Sequence, residues 1–255
     1  MSTLAWTFSD AVVMTRRNLI RYVRIPTLVA FSTIQPVMFV LLFAYVFGGA
    51  VDIPGVKYID FLMPGVFVQT VVFGAMQTGV GLADDLSRGM VDRFRSLPMA
   101  RSAVLAGRTL SDTVRNVFVL VLMVLVGTLI GFRFHAGFAP AVAALIVALL
   151  LGFAFCWIAA MIGLRLRDPE TAQTSGFVLL FPIVFASSVF VPVTSMPGWL
   201  QAFARANPVT NAANAVRALC LGGPTARPLL YTALWIVGIL AVFMPLATRR
   251  YRRSA

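Results

Sequence analysis

Six long apolar runs set what this chain can fold into. A helix that crosses the hydrocarbon core of a bilayer needs about 20 consecutive, mostly apolar residues. Segments of that kind recur at residues 27–47, 61–83, 110–132, 136–164, 173–192 and 229–247. The sequence therefore predicts an all-α membrane protein with six transmembrane helices, in a single transmembrane domain over residues 1–255.

The composition excludes a soluble fold. Hydrophobic residues make up 60% of the chain, charged residues only 12%, and the mean hydropathy is +0.90. A soluble chain of 255 residues could not bury that much apolar surface. A net charge of +12 would suggest nucleic-acid binding in a soluble domain. Here the arginines lie at the ends of apolar runs, where topology and anionic lipid explain them better, so no nucleic-acid partner is expected.

The basic residues alternate between the two sides of the predicted bundle. One side collects sixteen arginines and the other only five basic residues. Cytoplasmic loops are enriched in Lys and Arg, so the richer side faces the cytoplasm. The chain is therefore predicted to lie in the cytoplasmic membrane, with an even number of spans and both termini inside.

The segment before the first span is amphipathic. Plotted at 100° per residue over residues 8–24, Asp10, Arg17, Arg21 and Arg24 share one face, and a mostly apolar set shares the other. This pattern predicts a helix that lies in the inner membrane interface. A solvated basic tail is the alternative. The apolar face consists of Phe8, Ala11, Val12, Thr15, Leu19, Tyr22 and Val23.

The external segment 193–228 contains two helix-like pieces that are too short to span a bilayer. Pro197 suits the first turn of one piece, Asn207-Pro208 separates it from the next, and Gly222 and Gly223 end the second. Short apolar helices outside the membrane suggest a re-entrant helical pair before the last span. The alternative is an external cap without membrane contact.

The sequence offers no catalytic or metal-binding motif. It contains no phosphate-binding GxxxxGK[ST], no HExxH and no GxSxG. The chain is therefore expected not to be an enzyme and to hold no metal or cofactor. Its acidic residues, Asp112 among them, are interpreted as lying in loops or at span ends. This argues against a transporter coupled to ions or protons, which usually keeps an ionisable group at mid-membrane.

Two stripes at four-residue spacing mark a candidate substrate path. One stripe lies on the second predicted span and the other on the fifth. An aromatic, sparsely polar wall without charge suits drug-sized neutral cargo or lipophilic cations. Helix packing is the alternative interpretation of both stripes. The residues are Gln69, Phe73, Gln77, Phe177, Phe181 and Phe185.

A short charged loop at residues 84–101, between the second and third spans, carries the most specific pattern. It includes the run from Asp85 to Met99, with Arg93-Phe94-Arg95-Ser96-Leu97-Pro98 at its centre. Gly131-Phe132-Arg133-Phe134, Pro197-Gly198-Trp199-Leu200 and Asn207-Pro208-Val209 follow further along. With these motifs the chain resembles the membrane subunit of type-2 ABC exporters, most closely the daunorubicin-resistance permease group.

The resemblance implies a complex in which the membrane subunits and the ATPase subunits are separate chains. Two membrane subunits, identical or paralogous, would work with two cytoplasmic ATPase subunits that bind ATP and magnesium. The loop would couple ATP hydrolysis to transport. The implied coupling residues are Asp85, Arg88, Gly89, Asp92, Arg93, Phe94, Arg95, Leu97 and Pro98.

The function expected from the resemblance is outward transport of hydrophobic or amphipathic compounds, such as drugs, antibiotics or lipids, driven by ATP. Export of a lipid-linked glycan or cell-wall lipid is an alternative within the same class. A secondary-active drug transporter and a non-transporting membrane scaffold are alternatives from other classes.

Overall fold

The computed structural model describes residues 15, 20, 26–48, 53, 55–90 and 101–254. In this part of the chain it contains α-helices and no β-strand, which confirms the all-α class. A π-helical turn at Phe43–Phe47 extends the first helix. The helices are α1 (Pro26–Leu42), α2 (Tyr58–Ser87), α3 (Arg101–Ile130), α4 (Phe138–Leu166), α5 (Pro169–Phe185), α6 (Gly198–Ala206), α7 (Pro208–Leu221) and α8 (Ala226–Ser254).

Four of these helices are long and apolar enough to cross a membrane: α2, α3 from Leu105 onward, α4, and α8 as far as Tyr251. The other two predicted spans correspond to α1 and α5, which have 17 residues each. A membrane-embedded helical bundle follows from these helices, and the count of six spans stays a prediction.

The fifth predicted span ends earlier than expected. The apolar run continues to residue 192, but α5 stops at Phe185. The Asn207 side chain reaches this end from a distant part of the sequence. Its Nδ2 donates to the carbonyl oxygens of Ile183, at 2.6 Å, and of Ala186, at 3.2 Å. These bonds satisfy carbonyl groups that have no partner within a helix at its C-terminal end.

Helix α2 occupies the centre of the bundle and contacts α1, α3, α4, α5 and α7. It approaches α4 most closely where Gly79 faces Gly163. A Cβ atom on either glycine would collide with a backbone carbonyl of the opposite helix. The absence of both side chains therefore allows the two backbones to pack directly, as in other small-residue contacts between membrane helices.

The external segment forms two short helices at the predicted places. Asn207 caps α7 by accepting a hydrogen bond from the Val209 N–H at 2.8 Å, and α7 ends at Gly222, which has φ +85°. Helix α7 is buried in the bundle against α2, α4 and α8. Its re-entrant placement in the membrane stays a prediction.

The predicted interfacial helix at residues 8–24 lies outside the described residues except for Thr15 and Ile20. The Thr15 hydroxyl donates to the carbonyl oxygen of Gly107 on α3 at 3.3 Å. This contact places Thr15 against the bundle, and the interfacial helix itself stays a prediction.

Candidate functional site

The predicted stripe on α2 lines cavities beside α1. Gln69 is 4% exposed, and Phe73 and Gln77 are partly buried. All three face a small cavity, and Phe73 and Gln77 also face a larger one. Gln35 of α1 borders both cavities. The structure thus brings the polar and aromatic members of this stripe together around open space.

The aromatic stripe on α5 forms a continuous ladder with α2. The rings of Phe73 and Phe177 have centroids 6.2 Å apart, those of Phe177 and Phe181 are 5.2 Å apart, and those of Phe181 and Phe185 are 4.1 Å apart. Phe177 and Phe181 are 44% and 41% exposed, whereas Phe185 packs against Phe190. Packing therefore accounts for Phe185, whereas the rings of Phe177 and Phe181 remain accessible to a ligand or a partner subunit.

The larger cavity has a volume of about 520 Å³ and lies between α1, α2 and α5. Drug-sized ligands typically occupy clefts of about 300–1,000 Å³. Phe73, Met76 and Phe177 supply apolar lining. Glu170, in the first turn of α5, also lines the cavity. The expectation of a wall without charge is therefore wrong at this end, because α5 begins with an acidic turn beside the cavity.

The smaller cavity, of about 60 Å³, has several polar groups and one positive charge in its wall. Thr70 of α2 and Asn116 of α3 lie in its wall with Arg115. The Arg115 guanidinium donates to the Gly74 carbonyl at 2.6 Å and to Asn116 Oδ1 at 3.2 Å. The two cavities share Gln35, Phe73 and Gln77 in their lining. The two cavities therefore lie on either side of one shared wall region.

A buried ion pair fastens α3 to α2 next to these cavities. Asp112 is fully buried; it accepts a hydrogen bond from the Thr78 hydroxyl at 2.6 Å and pairs with Arg108 at 3.3 Å. The Arg108 guanidinium also donates to the Gln77 carbonyl at 3.0 Å. A Cβ on Gly81 would overlap this guanidinium, so the glycine provides the space that Arg108 occupies.

Asp112 was expected in a loop or at a span end, and its depth in the membrane stays a prediction. Helix α3 begins at Arg101, so Asp112 lies well inside it and faces α2. The spacing of the charged residues in the sequence could have predicted the buried cluster of Arg108, Asp112 and Arg115. Arg108, Asp112 and Arg115 follow at intervals of four and three residues, which places them on one helical face. Gly74 and Gly81, seven residues apart, provide the matching spaces on α2.

The predicted coupling loop is described only in part. Asp85 is 7% exposed and lies in the bundle, whereas Arg88 is exposed and pairs with Asp84 at 2.7 Å. Gly89 follows the end of α2 with φ +64°, a conformation that favours glycine. The remaining predicted coupling residues lie outside the described residues: Asp92, Arg93, Phe94, Arg95, Leu97 and Pro98.

Arg217 of α7, which belongs to the run Val216-Arg217-Ala218-Leu219 that also carries the family resemblance, is a structural anchor whose role the sequence did not predict. Its guanidinium donates to the carbonyls of Phe61 at 3.1 Å and Ser188 at 2.8 Å, and to Asn214 Oδ1 at 2.8 Å. It also lies 3.7 Å from the centroid of the Phe61 ring. One side chain therefore joins α7 to α2 and to the turn after α5.

Comparison with known proteins agrees with this helical architecture. The family described as ABC-2 type transporter matches residues 10–221. A daunorubicin resistance ABC transporter permease protein of Streptomyces coeruleorubidus is 38% identical over 93% of this chain and 84% of its own length. A probable doxorubicin resistance ABC transporter permease protein of Mycobacterium tuberculosis is 30% identical over 97% of this chain and 90% of its own length. A putative transport permease of Cyanophora paradoxa is 24% identical over 82% of this chain and 73% of its own length.

Proposed function

Because the chain belongs to the ABC-2 type transporter family, we propose that it is the permease subunit of an ATP-driven exporter of hydrophobic or amphipathic compounds. The observation that carries this proposal is the family match over most of the chain, together with a drug-sized aromatic cavity between α2 and α5. The cargo moves outward across the cytoplasmic membrane, and both chain termini face the cytoplasm.

The energy comes from a separate subunit. Permeases of this family normally work with an ATPase subunit, and this sequence has no phosphate-binding loop of its own. Two copies of a cytoplasmic ATPase bind ATP and magnesium, and two permease subunits, identical or paralogous, form the path. Phe177 and Val178 line the larger cavity and are exposed, which supports a second subunit as the missing wall.

In this proposal, α2 and α3 transmit the movement of the ATPase to the substrate path between the helices. The proposed coupling loop at residues 84–101 joins these two helices, and its contacts with the ATPase include Phe94 and Leu97. The Asp112 carboxylate holds both helices through Thr78 and Arg108. A displacement of the loop therefore moves the two helices as one body, and Gln77, whose carbonyl binds Arg108, borders both cavities.

Reconstitution tests the proposal directly. The chain is co-expressed with an ABC ATPase subunit that co-purifies with it, and the complex is placed in proteoliposomes that contain a lipophilic fluorescent dye. We expect dye movement that requires ATP and magnesium and persists when an ionophore removes the proton gradient. The matched control is an ATPase variant that lacks its nucleotide-binding lysine.

The alternative of secondary-active transport gives the opposite result. Movement that follows the proton gradient and ignores ATP contradicts the proposed function. Asp112 would then be the first candidate for a proton-binding group, since it is fully buried inside α3.

A further inference from the structure

The C-terminal part of α8 carries an apolar groove with an arginine at one end. Met244, Pro245, Thr248 and Arg249 line this depression, which has a volume of about 360 Å³. Residues four apart on a helix are neighbours on its surface, so Pro245 lies beside Arg249 and Met244 lies beside Thr248. Met244, Pro245 and Arg249 are exposed, so the groove is open to the surroundings of the helix.

The opposite face of α8 holds the groove in a fixed position. Ala247 and Tyr251 are buried in a cluster with Leu82 of α2 and Trp157 of α4. Ala247 precedes Arg249 by two residues, which turns the two side chains about 200° apart around the helix. One face of this segment is therefore packed on the bundle while the other presents the groove. A ligand in a groove that is already held in place loses less free energy to ordering of the protein.

Arg249 is the charged group that this groove offers to a ligand. The Thr248 hydroxyl already donates to the Met244 carbonyl at 2.8 Å. The Arg249 guanidinium makes no hydrogen bond or ion pair with the residues that the structure describes. A guanidinium binds phosphate oxygens through two parallel N–H donors, and the apolar residues beside it suit a hydrocarbon chain. The groove thus combines the two chemical parts of a phospholipid.

The position of the groove along α8 matches the inner boundary of the membrane. The last apolar run ends at residue 247, and Arg249 follows two residues later. At a rise of 1.5 Å per residue, Met244 lies about 7–8 Å from Arg249 along the helix axis. In the proposed orientation, with the C-terminus in the cytoplasm, Arg249 lies at the head groups and Met244 lies at the level of the acyl chains.

Protein partners fit this place less well than a lipid does. A soluble ATPase reaches the head groups but not the acyl-chain level, where Met244 and Pro245 lie. The second permease subunit is proposed at the larger cavity between α1, α2 and α5, whereas α8 packs mainly against α4 and α7, with a smaller contact to α3. A lipid molecule with a negatively charged head group contacts both parts of the groove at once.

We propose that this groove is a binding site for one anionic phospholipid of the inner leaflet. Arg249 binds the phosphate, and an acyl chain lies against Met244 and Pro245. The site goes beyond the proposed export function and shares with it only the orientation of the chain in the membrane. A bound lipid joins the end of α8 to the membrane boundary, at the segment that packs against Leu82 and Trp157.

Two lipids with the same acyl chains test the site. Dioleoyl phosphatidylglycerol carries a net negative charge, whereas dioleoyl phosphatidylcholine has no net charge. The full chain is purified in a non-ionic detergent, and each lipid is titrated while native mass spectrometry counts the bound molecules. We expect the first phosphatidylglycerol to bind about fivefold more tightly than the first phosphatidylcholine. An excess of glycerol 3-phosphate, which has no acyl chain, should not displace it.

Two neighbouring arginines provide matched variants. Arg249→Gln and Arg250→Gln remove the same charge from adjacent exposed positions, but only Arg249 lines the groove. Arg249→Gln should weaken the binding of phosphatidylglycerol about fivefold and leave that of phosphatidylcholine unchanged. Arg250→Gln should change the binding of either lipid by less than about twofold. Size-exclusion chromatography checks that both variants are folded as the wild type is.

The alternative occupants give different results. An equal loss in both variants indicates a diffuse basic surface and overturns the site, as does the absence of any preference for phosphatidylglycerol. Displacement by glycerol 3-phosphate identifies a site for soluble phosphate instead of lipid. A dimer in wild type that becomes a monomer in Arg249→Gln identifies a contact between two copies of the chain. Either of these results also overturns the lipid site.

The export function is judged by a separate measurement. ATP-driven dye movement by the whole complex leaves that function intact even where the lipid site is overturned. Conversely, a preference for phosphatidylglycerol that depends on Arg249, in a complex that moves no dye with ATP, retains the lipid site and overturns the export function.

Discussion

Helix α2 is held on two sides by different physical means. On the α3 side, Asp112 accepts from the Thr78 hydroxyl and Arg108 donates to the Gln77 carbonyl, so buried charged groups form directional bonds to α2. On the α5 side, stacked rings such as Phe73 and Phe177 meet beside a cavity of about 520 Å³. Directional bonds to buried charged groups favour one arrangement, because displacement of α2 would break the bonds that Thr78 and the Gln77 carbonyl make to them. Aromatic surfaces tolerate sliding and exchange of partners.

The difference assigns a mechanical role to each side. Under the proposed function, we expect the α2–α3 interface to move as one unit and the α2–α5 interface to be the one that adapts to cargo of different shape. A transporter of varied apolar compounds needs both properties in neighbouring places. The experiments below compare the two interfaces by weakening one at a time.

The largest effect is expected from breaking the ion pair. Asp112→Ala leaves the buried Arg108 without its carboxylate partner, and removal of one member of a buried pair typically costs about 3–5 kcal/mol. We expect a large loss of folded protein, measured by size-exclusion chromatography and thermal unfolding in detergent. The double variant Arg108→Met with Asp112→Leu should recover most of this stability, because it buries no charge. Equal damage in single and double variants would contradict the assigned role of the pair.

A smaller effect should follow from filling the space beside Arg108. In Gly81→Ala, the new methyl group collides with the guanidinium. Overpacking of this kind typically costs about 1–3 kcal/mol. Gly238→Ala on α8 is the matched control, because a Cβ there meets no neighbouring atom, and alanine favours a helix by about 1 kcal/mol over glycine. The thermal midpoint should fall for Gly81→Ala and not for Gly238→Ala. A fall in both would show that the space beside Arg108 is not the cause.

On the aromatic side, function should change more than stability. Phe181 is 41% exposed, so Phe181→Ala should alter which compounds are exported while protein abundance stays near wild type. Loss of one aromatic contact changes affinity by up to about tenfold. Phe185→Ala provides the contrast, because this ring packs against Phe190 and its loss should lower stability. Dose–response curves for several compounds, corrected for abundance, measure the change. A uniform loss in proportion to protein would identify Phe181 as packing.

The smallest effect concerns the start of α5 and depends on pH. Asp168 caps this helix by accepting hydrogen bonds from the Thr171 hydroxyl at 2.6 Å and the Thr171 N–H at 2.7 Å. The hydroxyl bond, followed by the backbone bond, holds the pKa of the Asp168 carboxyl below its usual value. The stabilisation is therefore fully present above the unfolded pKa of about 3.9 and is lost as the pH falls through the lower, folded value.

Asp168→Asn isolates this contribution. Asparagine caps helices about as well as aspartate and does not titrate in this range. We expect the thermal midpoints of wild type and variant to converge as the pH falls below about 4, measured at constant ionic strength. A difference that stays constant with pH would mean that the charge of Asp168 adds nothing to its role as a cap.

Most helices and part of the candidate site could be predicted from the sequence, because both depend on local patterns. Apolar runs predicted α2, α4 and α8, because the length and hydropathy of a span are local properties. Four-residue spacing correctly placed Phe177 and Phe181 beside one another, since neighbours on one helical face follow from helix geometry.

The features that were missed depend on contacts between distant segments. The end of α5 is set by Asn207, which no local pattern connects with Ala186. The Arg108–Asp112 pair was not predicted, because charges near the start of an apolar run usually face water. Only the facing glycine, Gly81, makes room for the guanidinium inside the bundle.

The double use of Asn207 limits how this chain can vary in evolution. Its Oδ1 accepts from Val209, and its Nδ2 donates to Ile183 and Ala186, so one amide serves the end of α5 and the beginning of α7. Aspartate offers no donor, and glutamine is longer by one methylene, so neither reproduces both sets of bonds. Insertions and deletions should therefore accumulate in the exposed helix α6 around Trp199, while the position of Asn207 relative to α5 stays fixed.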